Sequence, residues 1–440
     1  MKYVIKSPAG GQPAGSYNVM DSGAHGNGTD DDRLHILDAI TAAAGGTVYF
    51  PAGEYLCATT LVVPESTVMA GPTVAAIPIN VAKTDGSGCN TPTAWIKGTV
   101  EWTSHSSFSD LKIGPASAGT NAVYNANNTD HSTSFTRCQF RGGGYSGSHY
   151  DPVWMGKAVS DITYTDCNFE RSLLAYTGSW IPTNVYIFSS MVSPSIDNVL
   201  FVGCHFGISN GVAAGASGFN FCVFETDHTE DPYVATHGYR NINFEYCLFE
   251  SSNMEQLDYS GSNLAADPTV PNSGYSYVLG CVFKGDGVTG EWFSSIVCEG
   301  GSGYYEISEC TFYRGKGASI SMDDNELSGL NQYINFHDNV TDATNVVLDT
   351  GITHYAFEYI NCTSNHNTVT GNTVTMLGQT CCVSLHGDYN TVTGNTLTIA
   401  SNGWYTVDIT AGATGNVVTG NTMNKPIRDN GTNSTVTPNP

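Results

Sequence analysis

The sequence predicts an all-β solenoid, a chain wound into stacked coils of short strands. Two internal repeats and the composition point to it. In the first repeat a Cys has a large apolar residue three positions before it and a Phe two positions after it. Phe135-Thr136-Arg137-Cys138-Gln139-Phe140 is one copy, and Cys167, Cys204, Cys222, Cys247, Cys281 and Cys310 head the others. In the second, Asn takes the place of Cys. Near-identical units are centred on Asn372, Asn395 and Asn421, with Asn339 as the transition. Successive repeats are 18 to 37 residues apart, a variable period of the kind solenoids show and helical arrays do not. With 49 Gly in 440 residues and only 13% charged side chains, the composition suits short strands joined by many turns.

Each element follows in order. Residues 1–16 are rich in Gly, Pro and Ser and read as a flexible leader. Thr29 and Asp32 are placed to form a capping box for a helix. Leu34, Leu37, Ile40 and Ala44 make an apolar stripe at helical spacing, and Gly45-Gly46 ends it. Residues 47–56 read as strand, turn, strand, so that 17–56 form a capping helix and first coil. The coils then run over 57–425, the first less regular, with strands near Leu61–Val63, Trp95–Trp102 and Phe108–Ile113. Residues 426–440 remain as a tail. Around each repeat the apolar positions keep a period of two on either side of a bend, so two short strands turn at the Cys or Asn. Stacking then sets successive Cys about 4.8 Å apart. Asn at such a bend bonds the backbone of its own coil and the next, while Cys fills the same inward slot as a small hydrophobe.

The stretch Ala24-His25-Gly26-Asn27-Gly28-Thr29-Asp30-Asp31-Asp32, followed by Gly45-Gly46-Thr47-Val48-Tyr49-Phe50-Pro51-Ala52-Gly53-Glu54-Tyr55, resembles the start of the pectate-lyase-like proteins. The resemblance extends from about Tyr17 onward. It implies a single-stranded right-handed parallel β-helix whose coils carry an asparagine ladder at one turn, with the helix capping the open end. Members include phage tailspikes, capsule depolymerases, glucanases and alginate epimerases. The motif is structural, so it speaks for fold more than for activity. Asp30-Asp31-Asp32 accordingly reads as helix capping rather than as a catalytic or Ca²⁺ cluster.

A net charge of −24 argues against nucleic acid and anionic membrane surfaces as partners, and makes a polyanionic substrate less natural. Seven of the 13 Cys share the inward slot and read as packed free thiols, whereas Cys57 and Cys89 stand outside it and are candidates to pair. Cys381-Cys382 lacks metal-ligand spacing, so no metal site is expected from the cysteines. Residues 1–6 have no signal-peptide core, and no apolar run is long enough to span a bilayer. The protein is therefore expected to be made without standard export, to be already processed, or to leave the cell by lysis within a virion.

The position three after each repeat residue should face outward: Arg141, Glu170, Gly207, Glu225, Glu250, Lys284 and Tyr313. On this reading Glu225 and Glu250 occupy successive coils one strand spacing apart, where two carboxyls separate into an acid and a base. With Asp227 and Asp258 they form the candidate catalytic pool of a glycosidase. The bland alternative is solvated strand-edge charge. Two overlong coils contribute Tyr176, Trp180 and Tyr259 as candidates to stack on sugars, and Arg141, Tyr150 and Arg171 as further substrate contacts. A rival site lies in residues 141–171, where Arg141, Tyr145, His149, Tyr150, Asp151, Lys157 and Arg171 supply the cation, base and acid that a uronate lyase or epimerase needs. Tyr150-Asp151-Pro152 resembles the Tyr-x-Asp-Pro-His-Glu site of alginate epimerases, but Val153-Trp154 replace its last two residues. The first expectation is thus a polysaccharide-degrading enzyme, endo-acting and either hydrolase or lyase, resembling tailspike depolymerases. That resemblance implies a homotrimer and an extracellular or virion-associated location. The alternatives are a non-catalytic glycan-binding β-helix and a uronate lyase or epimerase, the latter with Ca²⁺.

Overall fold

The structure is a computed structural model that describes residues 12–74, 92–115, 123–125, 130–141, 153–155, 159–171, 185–189, 196–208, 222–226, 239–252, 257–260, 276–285, 295–299, 304–313, 319–322, 333–343, 360–376, 381–399 and 403–437. It is all-β apart from short helical segments at the start, Val19–Ser22 and Arg33–Ala43. The chain divides into two units, residues 1–186 with 200–212, and 187–199 with 213–440.

In the first unit each coil places one strand in each of three parallel sheets. Ser107–Ser109, Leu111–Ile113 and Val123–Asn125 make one coil. The next, Ser134–Thr136, Gln139–Arg141 and Val153–Met155, lies on it in register, with Phe135 opposite Phe108, Phe140 opposite Ile113 and Val153 opposite Val123. Register of this kind stacks like on like. The rings of Phe108, Phe135, Tyr164 and Phe201 succeed one another at 4.9, 4.9 and 4.8 Å, and all four are buried.

The entry to this unit differs from the expected capping box. Asp32 precedes the helix but makes no side-chain bond to the helix backbone. Its wholly buried carboxylate instead accepts the backbone N–H groups of His25 at 2.6 Å and Gly26 at 3.0 Å. It therefore ties the helix to the preceding loop, where two otherwise unpaired donors need an acceptor. The buried stripe is Ile36, Ala39 and Ile40, while Leu34 is exposed. The helix ends at Ala44 in the left-handed conformation (φ 47°).

In the second unit the same scheme runs from Tyr239–Glu245, Leu248–Ser252 and Leu257–Ser260 upward. Phe249, Phe283 and Phe312 stack at 4.7 and 4.9 Å. The residues expected as a tail add to the sheets: Ile427–Asp429 pairs with Val407–Ile409, and Thr435–Val436 with Val417–Thr419.

The bend between the first and second sheets shows why Cys and Asn exchange. Cys167 Sγ donates to Phe135 O of the coil below (3.5 Å), Cys310 Sγ to Val278 O (3.5 Å), and Asn339 Nδ2 to Ile307 O (2.9 Å). Each acceptor lies three residues before the repeat residue below. Asn adds an acceptor: Cys310, Asn339, Asn372 and Asn395 each direct a backbone N–H at the Oδ1 of the Asn above, at 2.8–2.9 Å. The residue before the repeat position is left-handed at Arg137, Asp166, Tyr246, Glu309 and Asp338 (φ 51–56°), and Gly371 takes the same conformation. A second asparagine ladder, Asn367–Asn390–Asn416, turns the chain into the first sheet by the same backbone-to-Oδ1 bonds.

Cys222 does not belong to the ladder. It lies within the strand Cys222–Thr226 of the third sheet, opposite Leu257. In the sequence Phe219 and Phe224 stand at the repeat's minus-three and plus-two places, which is why Cys222 imitates it. The expected option of a Cys57–Cys89 pair does not fit Cys57, which is a buried free thiol pushed up to about 12 by burial. Cys89 lies outside the described residues.

Candidate functional site on the third sheet

Three neighbouring strands of the third sheet in the second unit, Cys222–Thr226, Leu257–Ser260 and Ile296–Glu299, stand in continuous register. Cys222, Leu257 and Ile296 share one column, Val223, Asp258 and Val297 the next, then Phe224, Tyr259 and Cys298, and finally Glu225, Ser260 and Glu299. Leu257, Tyr259, Ile296 and Cys298 are fully buried. The alternate positions, which include Asp258, Glu225 and Glu299, fall on the opposite face of the sheet, where Val297 in the column of Asp258 is itself buried. Strand geometry puts the Cα of Asp258 about 8 Å from those of Glu225 and Glu299, and these two about 10 Å apart. Three acidic positions thus converge on one patch of sheet.

This arrangement keeps part of the expected site and changes the rest. Glu225 and Asp258 come together on adjacent strands. Glu250 does not join them: it lies on the second sheet opposite Lys284, because Cys222 is not a ladder residue and the two glutamates are not on successive repeats. Tyr259 is not available to stack on a sugar. It is core, its hydroxyl donating to Ile242 O at 3.2 Å and its ring tilted against Tyr305 at 5.0 Å. Asp227, Tyr150, Tyr176 and Trp180 lie outside the described residues, as do Tyr145, His149, Asp151 and Lys157. Glu299, which the sequence reading did not single out, falls in the same column as Glu225, and Ile296-Val297-Cys298-Glu299 repeats the pattern of Cys222-Val223-Phe224-Glu225.

The column of Asp258 continues up the sheet as Val297, Ser321, Asn361, Ser384, Asp408 and Arg428. Asn361 Nδ2 donates to Ser321 Oγ at 3.4 Å, while its Oδ1 is buried with no partner among the described residues. Ser384 Oγ lies 2.8 Å from His386 Nε2. Asp408 takes the Arg428 fork on both oxygens, Nε to Oδ1 at 2.7 Å and Nη2 to Oδ2, and the guanidinium sits 4.9 Å from the Tyr405 ring centre. Next to Tyr405, Trp404 is 65% exposed.

In the first unit the outer face of the second sheet holds another polar column: Glu54, Trp95, Lys112, Gln139, Asn168 and His205. The Trp95 ring lies 4.3 Å from Lys112 Nζ and 5.1 Å from Lys97 Nζ, and Lys97 pairs with Glu54 at 2.9 Å. Arg141, half-buried, falls opposite Glu170, and Arg171 opposite Ile208. Among the described residues no three His, Cys, Asp or Glu side chains converge as metal ligands. Among them, too, no helix is long and apolar enough to cross a membrane.

Residues 16–220 match a family described as rhamnogalacturonase A/epimerase, pectate lyase-like. Over those residues, just under half of its length, the chain is similar to that pectate-lyase-like family. Solved structures agree on the fold. The chain superposes on the Agl-KA catalytic domain with a TM-score of 0.57 at 12% identity, over 98% of its own length and 70% of the other. It superposes on the tailspike protein gp49 of Acinetobacter baumannii bacteriophage Fri1, a capsular polysaccharide depolymerase, with a TM-score of 0.51 at 11% identity, over 90% and 64%. A stretch of 42 residues is 62% identical to the mannuronan C5-epimerase AlgE4 of Azotobacter vinelandii. That stretch is 9% of this chain and 8% of the epimerase.

Proposed function

We propose that the protein is a polysaccharide-degrading enzyme that hydrolyses a glycan within the chain, using carboxyl groups from Asp258, Glu225 and Glu299. The observation behind this reading is the register that gathers these acidic positions on one patch of the third sheet. Hydrolysis of a glycosidic bond asks for two carboxyls. One gives a proton to the leaving oxygen, and the other activates water or attacks the anomeric carbon. A rigid sheet holds such groups at fixed spacing, which is where their catalytic value lies. The tailspike capsular polysaccharide depolymerase among the structures of like fold is in keeping with an extracellular or virion-associated enzyme, and the homotrimer rests on the tailspike resemblance alone.

A second reading, a uronate lyase or epimerase on the Arg141 flank, is favoured by the local identity to the mannuronan epimerase. Incubation with a panel of neutral and acidic polysaccharides separates the two. New reducing ends without ultraviolet absorbance mean hydrolysis, and new ends with absorbance mean elimination. A change in uronate composition without chain cleavage means epimerisation. Retained binding with no chemical change would replace all of these with a glycan-binding β-helix.

A further inference from the structure

We infer that the upper end of the first sheet, in the second unit, is an ice-binding face, on which two columns of threonine meet the surface water of an ice crystal. This activity is separate from the polysaccharide reading above and does not depend on it.

The face is built from a Thr-Val-Thr repeat. Thr368-Val369-Thr370, Thr391-Val392-Thr393, Val417-Val418-Thr419 and Thr435-Val436-Thr437 lie on successive coils. Register sets Thr368, Thr391, Val417 and Thr435 in one column and Thr370, Thr393 and Thr419 in the next. The Thr437 N–H donates to Val418 O at 3.0 Å and carries the second column onto the last coil. Val369, Val392 and Val418 are fully buried, so the threonines on either side of them face outward. They are half-buried in the lower coils and exposed at Thr435 and Thr437.

Three features set this face apart from ordinary strand surface. No position in either column is charged, in a chain that carries −24. Asparagine holds the strands at both ends. Asn367, Asn390 and Asn416 link the coils before the strand, and Asn372, Asn395 and Asn421 link them after it, each by backbone N–H to Oδ1 at 2.8–2.9 Å. Side-chain ladders of this kind keep a parallel sheet flat. The third feature is stiffness: β-branching restricts the threonine rotamers, so hydroxyls stacked in a column hold their directions. The Thr370 hydroxyl donates to Thr393 O at 2.8 Å, and the Thr393 and Thr419 hydroxyls lie 3.4 Å apart.

Spacing selects the ligand. Coils repeat at about 4.8 Å, and outward positions along one strand repeat at about 6.7 Å. Both repeats are close to those of the oxygen atoms on a prism face of ice. A dissolved polymer repeats in one direction only, whereas this array repeats in two, as a crystal surface does. Threonine hydroxyls can donate to and accept from lattice water, and the methyl groups beside them order the water between. A charged side chain would instead keep a hydration shell that does not fit the lattice, and the face has none.

Slow freezing of a solution of the full chain around a cold finger tests this, read as the share of protein taken into the growing ice. Wild type should be enriched in the ice relative to serum albumin, and should keep small ice crystals from coarsening during annealing. Thr391→Lys, in the middle of the first column, should lose both effects. Thr435→Lys, at an exposed position of the same column, should lose them too and carries the test if Thr391→Lys does not fold. Thr398→Lys, at an exposed position of the second sheet in the coil of Thr391, should behave as wild type. Thermal unfolding of the variants separates lost binding from lost structure. The inference is overturned if wild type is excluded from ice as albumin is, if the folded Thr391 and Thr435 variants enter ice as wild type does, or if Thr398→Lys fails with them. Wild-type dimers in sedimentation that Thr391→Lys separates, with no entry into ice, would also overturn it and make the face a contact between copies of the chain.

Discussion

At the scale of single residues, the exchange of Cys for Asn in the ladder follows from one shared donor. Both reach the carbonyl three residues before the repeat residue of the coil below, but Asn accepts a backbone N–H at 2.9 Å where Cys281 Sγ accepts that of Cys247 only at 3.4 Å. Asn395→Ala should therefore leave the buried Asn372 N–H without its partner, at about 1–3 kcal/mol for each buried group so exposed. Asn339→Cys should cost less than Asn339→Ala in urea unfolding. The thiols follow the same logic. Burial pushes Cys57 and Cys382 up to about 12 and Cys167 and Cys281 well above the ordinary range. A thiol reagent should thus find no more than two reactive groups among the 13 Cys of the native protein, since 11 are buried free thiols. All should react after unfolding. His337 offers a pH handle. Burial lowers its pKa, but hydrogen bonds to Asp338 (2.9 Å) and Glu306 (3.3 Å) outweigh that, so it is raised overall. A raised folded pKa gives stability that is full below the unfolded value and fades as pH rises through the folded one. Wild type should lose its advantage over His337→Gln between mildly acidic and alkaline urea titrations.

At the scale of elements, the apolar register decides what the sequence can and cannot say. Repeats of Phe, Cys and Asn announced coils and bends, and the stacking of Phe249, Phe283 and Phe312 bears this out. Phe283→Ala should cost about 3–5 kcal/mol, because rings on both sides lose their neighbour. The same alternation hides which of three sheets a strand joins. Cys222 matched the ladder in spacing and composition yet lies mid-strand, and Tyr259 looked like an exposed aromatic of a long insertion yet is core. Asp32 was read as a cap from its place before an apolar stripe. Only the loop at His25 and Gly26 reveals its partners. Asn367, Asn390 and Asn416 stood in plain view in the repeated units, but the second bend they build depends on contacts some 23 to 26 residues away.

At the scale of the whole molecule, backbone pairing and inward side chains hold the coils of each unit together, which leaves the outer face free to carry chemistry. That division explains why fold was legible and site only half so. Inward positions must repeat, whereas an outward carboxylate obeys no period and is located only once register is known. Glu225 and Asp258 were singled out without it and lie on adjacent strands, Glu299 was not singled out, and Glu250 lies on the second sheet rather than beside Glu225. The central claim is that the acidic positions of the third sheet are the catalytic group. The most direct test compares Asp258→Asn, Glu225→Gln, Glu299→Gln and Glu250→Gln on a polysaccharide that the wild type degrades. Asp258→Asn and at least one of the Glu225 and Glu299 variants should lose about 10²–10⁴ in kcat, with Glu250→Gln near wild type. Full activity in Asp258→Asn, or loss confined to Glu250→Gln, would contradict it.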